Sequence, residues 1–182
     1  MIIFQRFFEK TIAFVLKIMY NMVTSGVKCN EMEEKGGKMM LSGTYVHNVD
    51  AKGRIIMPAR LREDLGEGCV ISKGYEGCLC IYSKDEWAKF MEGLVAKMPE
   101  EKAKARKLVR LFSAGAMDCD VDKQGRVLIP PILREGAGIE KEVTIIGNVN
   151  KVEIWDSARW AAYNSEDDSL EDLAEELFEL GY

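Results

Sequence analysis

Asp50 and Arg54 stand four residues apart around Gly53, and Asp122 and Arg126 repeat the arrangement around Gly125. A carboxylate at the head of a tight turn accepts hydrogen bonds from backbone amides two or more residues on, and a glycine lets the chain reverse. Those needs account for Asp50, Gly53, Asp122 and Gly125 as turn-orienting residues. They leave the two arginines open to two readings. One is an internal salt bridge to the preceding aspartate. The other is a guanidinium at a turn tip, able to form paired hydrogen bonds to guanine or to phosphate, with the aspartate orienting it. In that second reading Lys52, Arg54 and Arg60 supply positive charge at the first tip, and Lys123 and Arg126 at the second. Gln124 occupies the place of Lys52 in the second copy, so the first tip is the better provided and Arg54 the stronger candidate.

Two symmetric aspartates also raise the chemistry of a carboxyl dyad, which requires one proton shared between two close carboxylates. An arginine four residues after each aspartate works against this by holding both ionised. No enzyme is expected. "CLC" places Cys78 and Cys80 on one face of a strand, but His47 is the sole histidine and no second cysteine pair completes a tetrahedral site. Core packing is the reading for these thiols, and neither a metal nor another cofactor is expected. The five cysteines are an odd number without the even framework of a small secreted domain, so reduced thiols are expected.

The elements that carry the tips follow from an internal repeat. Residues 49–63 and 121–135 share eight identities in fifteen, and after one inserted residue "IYSKDEW" (81–87) lies over "IWDSARW" (154–160). "TYVHNVD" alternates like a strand, "AKG" is the turn, and "RIIM" or "RVLI" is a second strand, so each motif predicts a hairpin. Pro58 ends the strand and suits the start of a short helix, "PARLREDLG", which Gly66 stops. "CVISK" and "CLCIY" predict a second strand pair around "GYEG". A helix follows in which Ser83 and Glu86 have capping-box spacing, and Asp156 takes the cap position in the second copy. Trp87 and Trp160 hold matched places at the helix starts and read as core pegs. The repeats span 44–88 and 117–161, and each is too small to bury a comfortable core alone. Pairing both in one barrel solves this.

Residues 99–115 predict a linking helix that starts at Pro99, with Leu108, Val109, Leu111 and Phe112 apolar. Its Lys102, Lys104, Arg106, Lys107 and Arg110 form either a solvated face or a phosphate patch. In the acidic tail, 164–182, Leu170, Leu173, Leu177 and Leu180 share one helical face suited to packing on its own domain or on a partner.

Charge distribution decides what the net charge of -5 means. From Met40 to Tyr163 there are 19 Lys and Arg against 18 Asp and Glu, whereas residues 164–182 hold eight acids and no base. Acids on a tail more than a Debye length, roughly 10 Å at 0.1 M salt, from a binding face barely affect it. The acidic balance therefore does not exclude a nucleic-acid partner. Residues 1–28 are apolar, but Arg6, Glu9, Lys10 and Lys17 interrupt them before the ~18 uncharged residues of a spanning helix. "KGGKMM" (35–40) permits codons that spell a ribosome-binding site ahead of Met39 or Met40. Residues 1–38 are accordingly expected to be translated leader in the gene model.

"DAKGRIIMPARLRE" and "DKQGRVLIPPILRE", with the opening "MLSGTYVHNVD", resemble the MraZ family of bacterial transcriptional regulators over about residues 40–165. The resemblance implies a mainly β chain with short helices, of the α+β class. Two tandem swapped-hairpin units of the SpoVT/AbrB kind would form one pseudo-twofold barrel, with a linking helix and an acidic C-terminal helix added. It implies a ring-shaped homo-oligomer, cytoplasmic and nucleoid-associated, that binds double-stranded DNA at short direct repeats in a promoter. There it would repress its own division and cell-wall gene cluster. Arg54 and Arg126 take the places of the family's DNA-binding arginines. No membrane partner is expected. The competing expectation is an oligomeric scaffold or protein-interaction module that binds no DNA, with the tail helix as its contact.

Overall fold

In the first unit β1 (Leu41–Asn48) enters the Asp50 turn and β2 (Arg54–Ile56) leaves it, followed by α1 (Ala59–Leu65), β3 (Cys69–Lys73), β4 (Leu79–Ser83) and α2 (Lys84–Lys97). Helix α3 (Ala103–Gly115) leads into the second unit. There β5 (Met117–Cys119), β6 (Arg126–Leu128), α4 (Pro131–Gly136), β7 (Glu142–Val149), β8 (Lys151–Asp156) and α5 (Ser157–Tyr163) repeat the order, and α6 (Leu170–Glu179) follows. This computed structural model describes residues 40–66, 68–97, 99, 102–165 and 170–179. The expected leader, 1–38, lies outside the described residues, as does Leu180.

Local chemistry sets the helix ends. The Pro58 carbonyl accepts from the amides of Leu61 and Arg62, and α1 stops at Gly66, whose φ of 69° suits a residue without a Cβ. Ser83 Oγ accepts from the Glu86 amide at 3.3 Å to open α2. Asp156 Oδ1 accepts from the amides of Ala158 and Arg159, both at 3.1 Å, to open α5. The linking helix begins at Ala103 rather than Pro99, whose carbonyl instead accepts from the Lys102 amide. Ala105 and Phe112 face inward on it, while Leu111 is exposed, because helical spacing turns Leu111 a third of a turn away from its neighbour.

Strand pairing departs from the expected hairpins. Each hairpin closes at its tip, where the Asp50 amide donates to the Arg54 carbonyl at 2.8 Å and the Gly53 amide to the Asp50 carbonyl at 2.9 Å, and the second adds a single bridge between Val121 and Val127. Beyond the tip β1 pairs with β7 of the other unit, and β2 pairs with β6. Alternation specifies two strands and a turn, whereas the partner is chosen by burial. An isolated hairpin is marginal, and pairing across units seals Ile55 and Val127 completely. The antiparallel six-stranded sheet runs β1-β7-β8-β4-β3-β5, and β2-β6 form a separate ribbon. Exchanging every strand for its counterpart in the other unit returns both orders unchanged.

The large sheet buries both faces of its central strands. On one, Ile71, Leu79, Ile81, Val143, Ile145, Val152 and Ile154 meet Ile55, Met57, Val127 and Ile129 of the ribbon and Leu61 and Leu133 of α1 and α4. On the other, Cys78, Cys80, Tyr82 and Trp155 meet Trp87, Phe90 and Trp160, so both matched tryptophans pack in a core as expected. The four described cysteines are free thiols. Cys69 and Cys119 are cross-strand partners with sulfurs 2.7 Å apart. No helix among the described residues is long and apolar enough to cross a membrane.

Candidate nucleic-acid interface

Each tip is built by one carboxylate. Asp50 Oδ1 accepts from the amides of Lys52 (2.8 Å) and Arg54 (2.9 Å), and Oδ2 accepts from the Arg54 guanidinium through Nε (2.8 Å) and Nη2 (2.6 Å). Asp122 repeats this with the amides of Gln124 and Arg126 at 2.8 and 3.0 Å, and with Arg126 Nε and Nη2 at 2.8 and 2.7 Å. One oxygen shapes the loop while the other aims the arginine. The hydrogen-bonded guanidinium holds each carboxyl well below its ordinary range, at about 2. Both aspartates therefore stay charged at neutral pH, which removes the shared proton that a carboxyl dyad needs. The internal ion pair and an outward-looking arginine also coexist. The pair engages two of the five guanidinium N–H groups, and 26% of each arginine side chain is exposed.

The ribbon brings the two motifs together. Arg54 lies opposite Leu128 and Ile56 opposite Arg126, with Ile55 and Val127 facing the core between them. Arg54 and Arg126 are thus diagonal neighbours on one outward face, about 7–8 Å apart at the Cα atoms. Their tips lie at opposite ends, because the Gly53 carbonyl accepts from the Ile129 amide and the Gly125 carbonyl from the Met57 amide. Four residue steps of strand separate those ends, about 14 Å. Between the arginines the face carries Ile56 and Leu128, 53% and 51% exposed.

This duplicated frame coincides with a duplicated match. The family model described as "MraZ protein, putative antitoxin-like" matches twice, over residues 40–111 and 112–180. The chain belongs to the MraZ family. It is 50% identical over 142 residues to the transcriptional regulator MraZ of Heliobacterium modesticaldum, a match covering 78% of this chain and 99% of that protein. To the transcriptional regulator MraZ of Caldanaerobacter subterraneus subsp. tengcongensis it is 51% identical over 139 residues, covering 76% and 96%.

In this MraZ chain the remaining candidate residues fall in three places. Lys52 and Lys123 are exposed on the tip loops, and Arg60 is exposed in the first turn of α1. Lys102, Lys104, Arg106, Lys107 and Arg110 are exposed on or just before α3, and the ribbon includes none of them. Gly53 and Gly125 are buried with φ of 79° and 76°. Two arginines that sequence reasoning gave no role stand against these glycines. A Cβ on Gly53 would meet the Arg134 guanidinium, and one on Gly125 would meet that of Arg62. Each unit therefore lays a helix arginine against the other unit's tip. The signal was present in the repeat, where Arg62 and Arg134 are an identical pair, but their partners lie across the units.

Proposed function

We propose that the chain is a DNA-binding transcriptional regulator that represses its own division and cell-wall gene cluster by holding short direct repeats in the promoter. The observation that carries this reading is the placement of Arg54 and Arg126, each aimed by an aspartate, on one exposed face of one ribbon. An arginine presents planar paired donors to guanine or phosphate, and a two-stranded ribbon fits a major groove. Lys52, Lys123 and Arg60 add phosphate contacts around the tips. The relatives' description as transcriptional regulators supports the same reading.

One protomer offers few phosphate contacts, and affinity built on them falls steeply with salt. A ring of identical protomers over regularly spaced repeats would multiply effective affinity by roughly 10²–10⁴ with no new kind of contact. Within each protomer the two units would close as a pseudo-twofold swapped-hairpin barrel, a reading supported by the exchange symmetry of the strand orders. The protein would work in the cytoplasm, associated with the nucleoid.

The test is binding of the purified protein to labelled DNA from upstream of its own gene, with native mass measured on the complex. Tight binding to the intact repeats, weakened by altered repeat spacing, is expected, together with a closed homo-oligomer. Equal affinity for intact, respaced and unrelated DNA would overturn the reading. A second reading, an oligomeric scaffold that binds no DNA, is favoured by the exposure of Ile56 and Leu128 on the ribbon and of Leu173 and Leu177 on α6. It requires an oligomer that forms normally and retains no DNA.

A further inference from the structure

A second cluster lies on the opposite face of the large sheet, away from the arginine ribbon. Cys80 and Glu153 are cross-strand partners at the β4·β8 pair, one of the pairs that join the two units, and Cys78 stands two residues before Cys80 on the same side. Both cysteines are buried, their sulfurs are 4.0 Å apart, and one donor atom from each of Cys78, Cys80 and Glu153 lies within 4.8 Å of the others. Cross-strand register and alternation alone place these three groups together. Sequence reasoning dismissed the cysteine pair for want of further ligands, because Glu153 arrives from the other repeat.

We propose that Cys78, Cys80 and Glu153 form a binding site for a soft divalent cation, Zn(II), with water in the fourth position. Two thiolates 2.3 Å from one tetrahedral zinc lie about 3.8 Å apart, close to the spacing already present. The carboxylate needs to close by at most about 1.3 Å. Space for the sulfurs is reserved, since a Cβ on Gly74 would run into both. Glu153 is oriented as a ligating carboxylate usually is, by outer donors. Oε1 accepts from Lys151 Nζ at 2.8 Å and Asn148 Nδ2 at 2.9 Å, and Oε2 from Trp155 Nε1 at 3.1 Å. Charge also balances. With both thiols protonated, Glu153 and Lys151 cancel, and one Zn(II) entering as two thiol protons leave keeps the cluster neutral. That neutrality matters beneath Tyr82, Trp155, Trp87 and Phe90, where an uncompensated charge is costly. Core packing by itself asks for no carboxylate beside the thiols.

The experiment uses the full chain, reduced and stripped of metal, titrated with Co(II) as a spectroscopic stand-in and then with Zn(II). One equivalent of Co(II) is expected to give a thiolate charge-transfer band and tetrahedral visible bands, bleached by Zn(II). Zn(II) is expected to slow alkylation of Cys78 and Cys80, read by peptide mass spectrometry, and to leave Cys69 and Cys119 unchanged. This arm needs no variant and so does not depend on variant folding. Cys78→Ser with Cys80→Ser should abolish the band, and Glu153→Gln should weaken Zn(II) binding at least tenfold, while Cys69→Ser leaves both intact. The site is overturned by absence of the band, by protection that misses Cys78 and Cys80, or by Glu153→Gln binding Zn(II) as the wild type does.

Discussion

Removing one motif arginine should change the salt dependence of DNA binding by a fixed amount. On B-DNA, log K falls with log salt at a slope of about -0.9 for each phosphate neutralised. Arg54 and Arg126 lie on one face of a single ribbon, held by identical Asp pairs, so one contact each is the geometric expectation. Arg54→Ala or Arg126→Ala should therefore flatten the slope by about 0.9 per engaged protomer, and the double variant by about 1.8. Between 50 and 200 mM salt, each missing contact makes the loss of affinity about 3.5-fold smaller, and two make it about 12-fold smaller. Fluorescence anisotropy on a labelled promoter duplex across that range measures the slope directly, with circular dichroism reporting the fold. A double variant whose slope and affinity both equal the wild type's would refute the placement of the contacts on the ribbon and move them elsewhere, the basic face of α3 first.

The tips and the ribbon set further expectations. Carbon-13 titration of Asp50 and Asp122 should give midpoints near 2, and Arg54→Ala should return Asp50 toward its ordinary 3.8. Because the folded value lies below the unfolded one, the stability linked to these carboxylates is complete above about pH 4 and is lost as pH falls through about 2. Gly53→Ala and Gly125→Ala each force a side chain to positive φ and push a helix arginine away, so a loss of about 1–2 kcal/mol or more is expected in urea unfolding. Ile55→Ala should cost about 2–5 kcal/mol in the same assay, whereas Ile56→Ala, one residue along but outward-facing, should stay within about 0.5 kcal/mol.

Local elements were legible in the sequence wherever a side chain acts on its own neighbourhood. The Asp50 and Asp122 turns, the Gly66 stop, the Ser83 and Asp156 caps and the β3·β4 pair all follow from residues within a few positions of one another. What sequence could not assign was partnership across units. Two alternating strands joined by a tight turn read as a hairpin, yet β1 and β2 each take a partner from the second repeat, because only that pairing buries Ile55 and Val127 together. The same blindness hid Arg62 against Gly125 and Glu153 beside Cys80, residues brought together from separate repeats. The arginines themselves were found as candidates because their type and spacing are repeated. Their convergence on one face depends on the ribbon's register, which no single repeat contains.

The pairing of β1 with β7 has a consequence for how the protein is made. Leu41 meets Val149, so β1 waits for about a hundred more residues after its own synthesis before its partner exists. At a synthesis rate of roughly 5–20 residues per second this interval is about 5–20 s. Throughout it the strand's polar edge and the apolar side of the first repeat stay open to other nascent chains on the same message. The first repeat therefore cannot complete its fold until the second has been made, which leaves an unpaired strand edge exposed during synthesis.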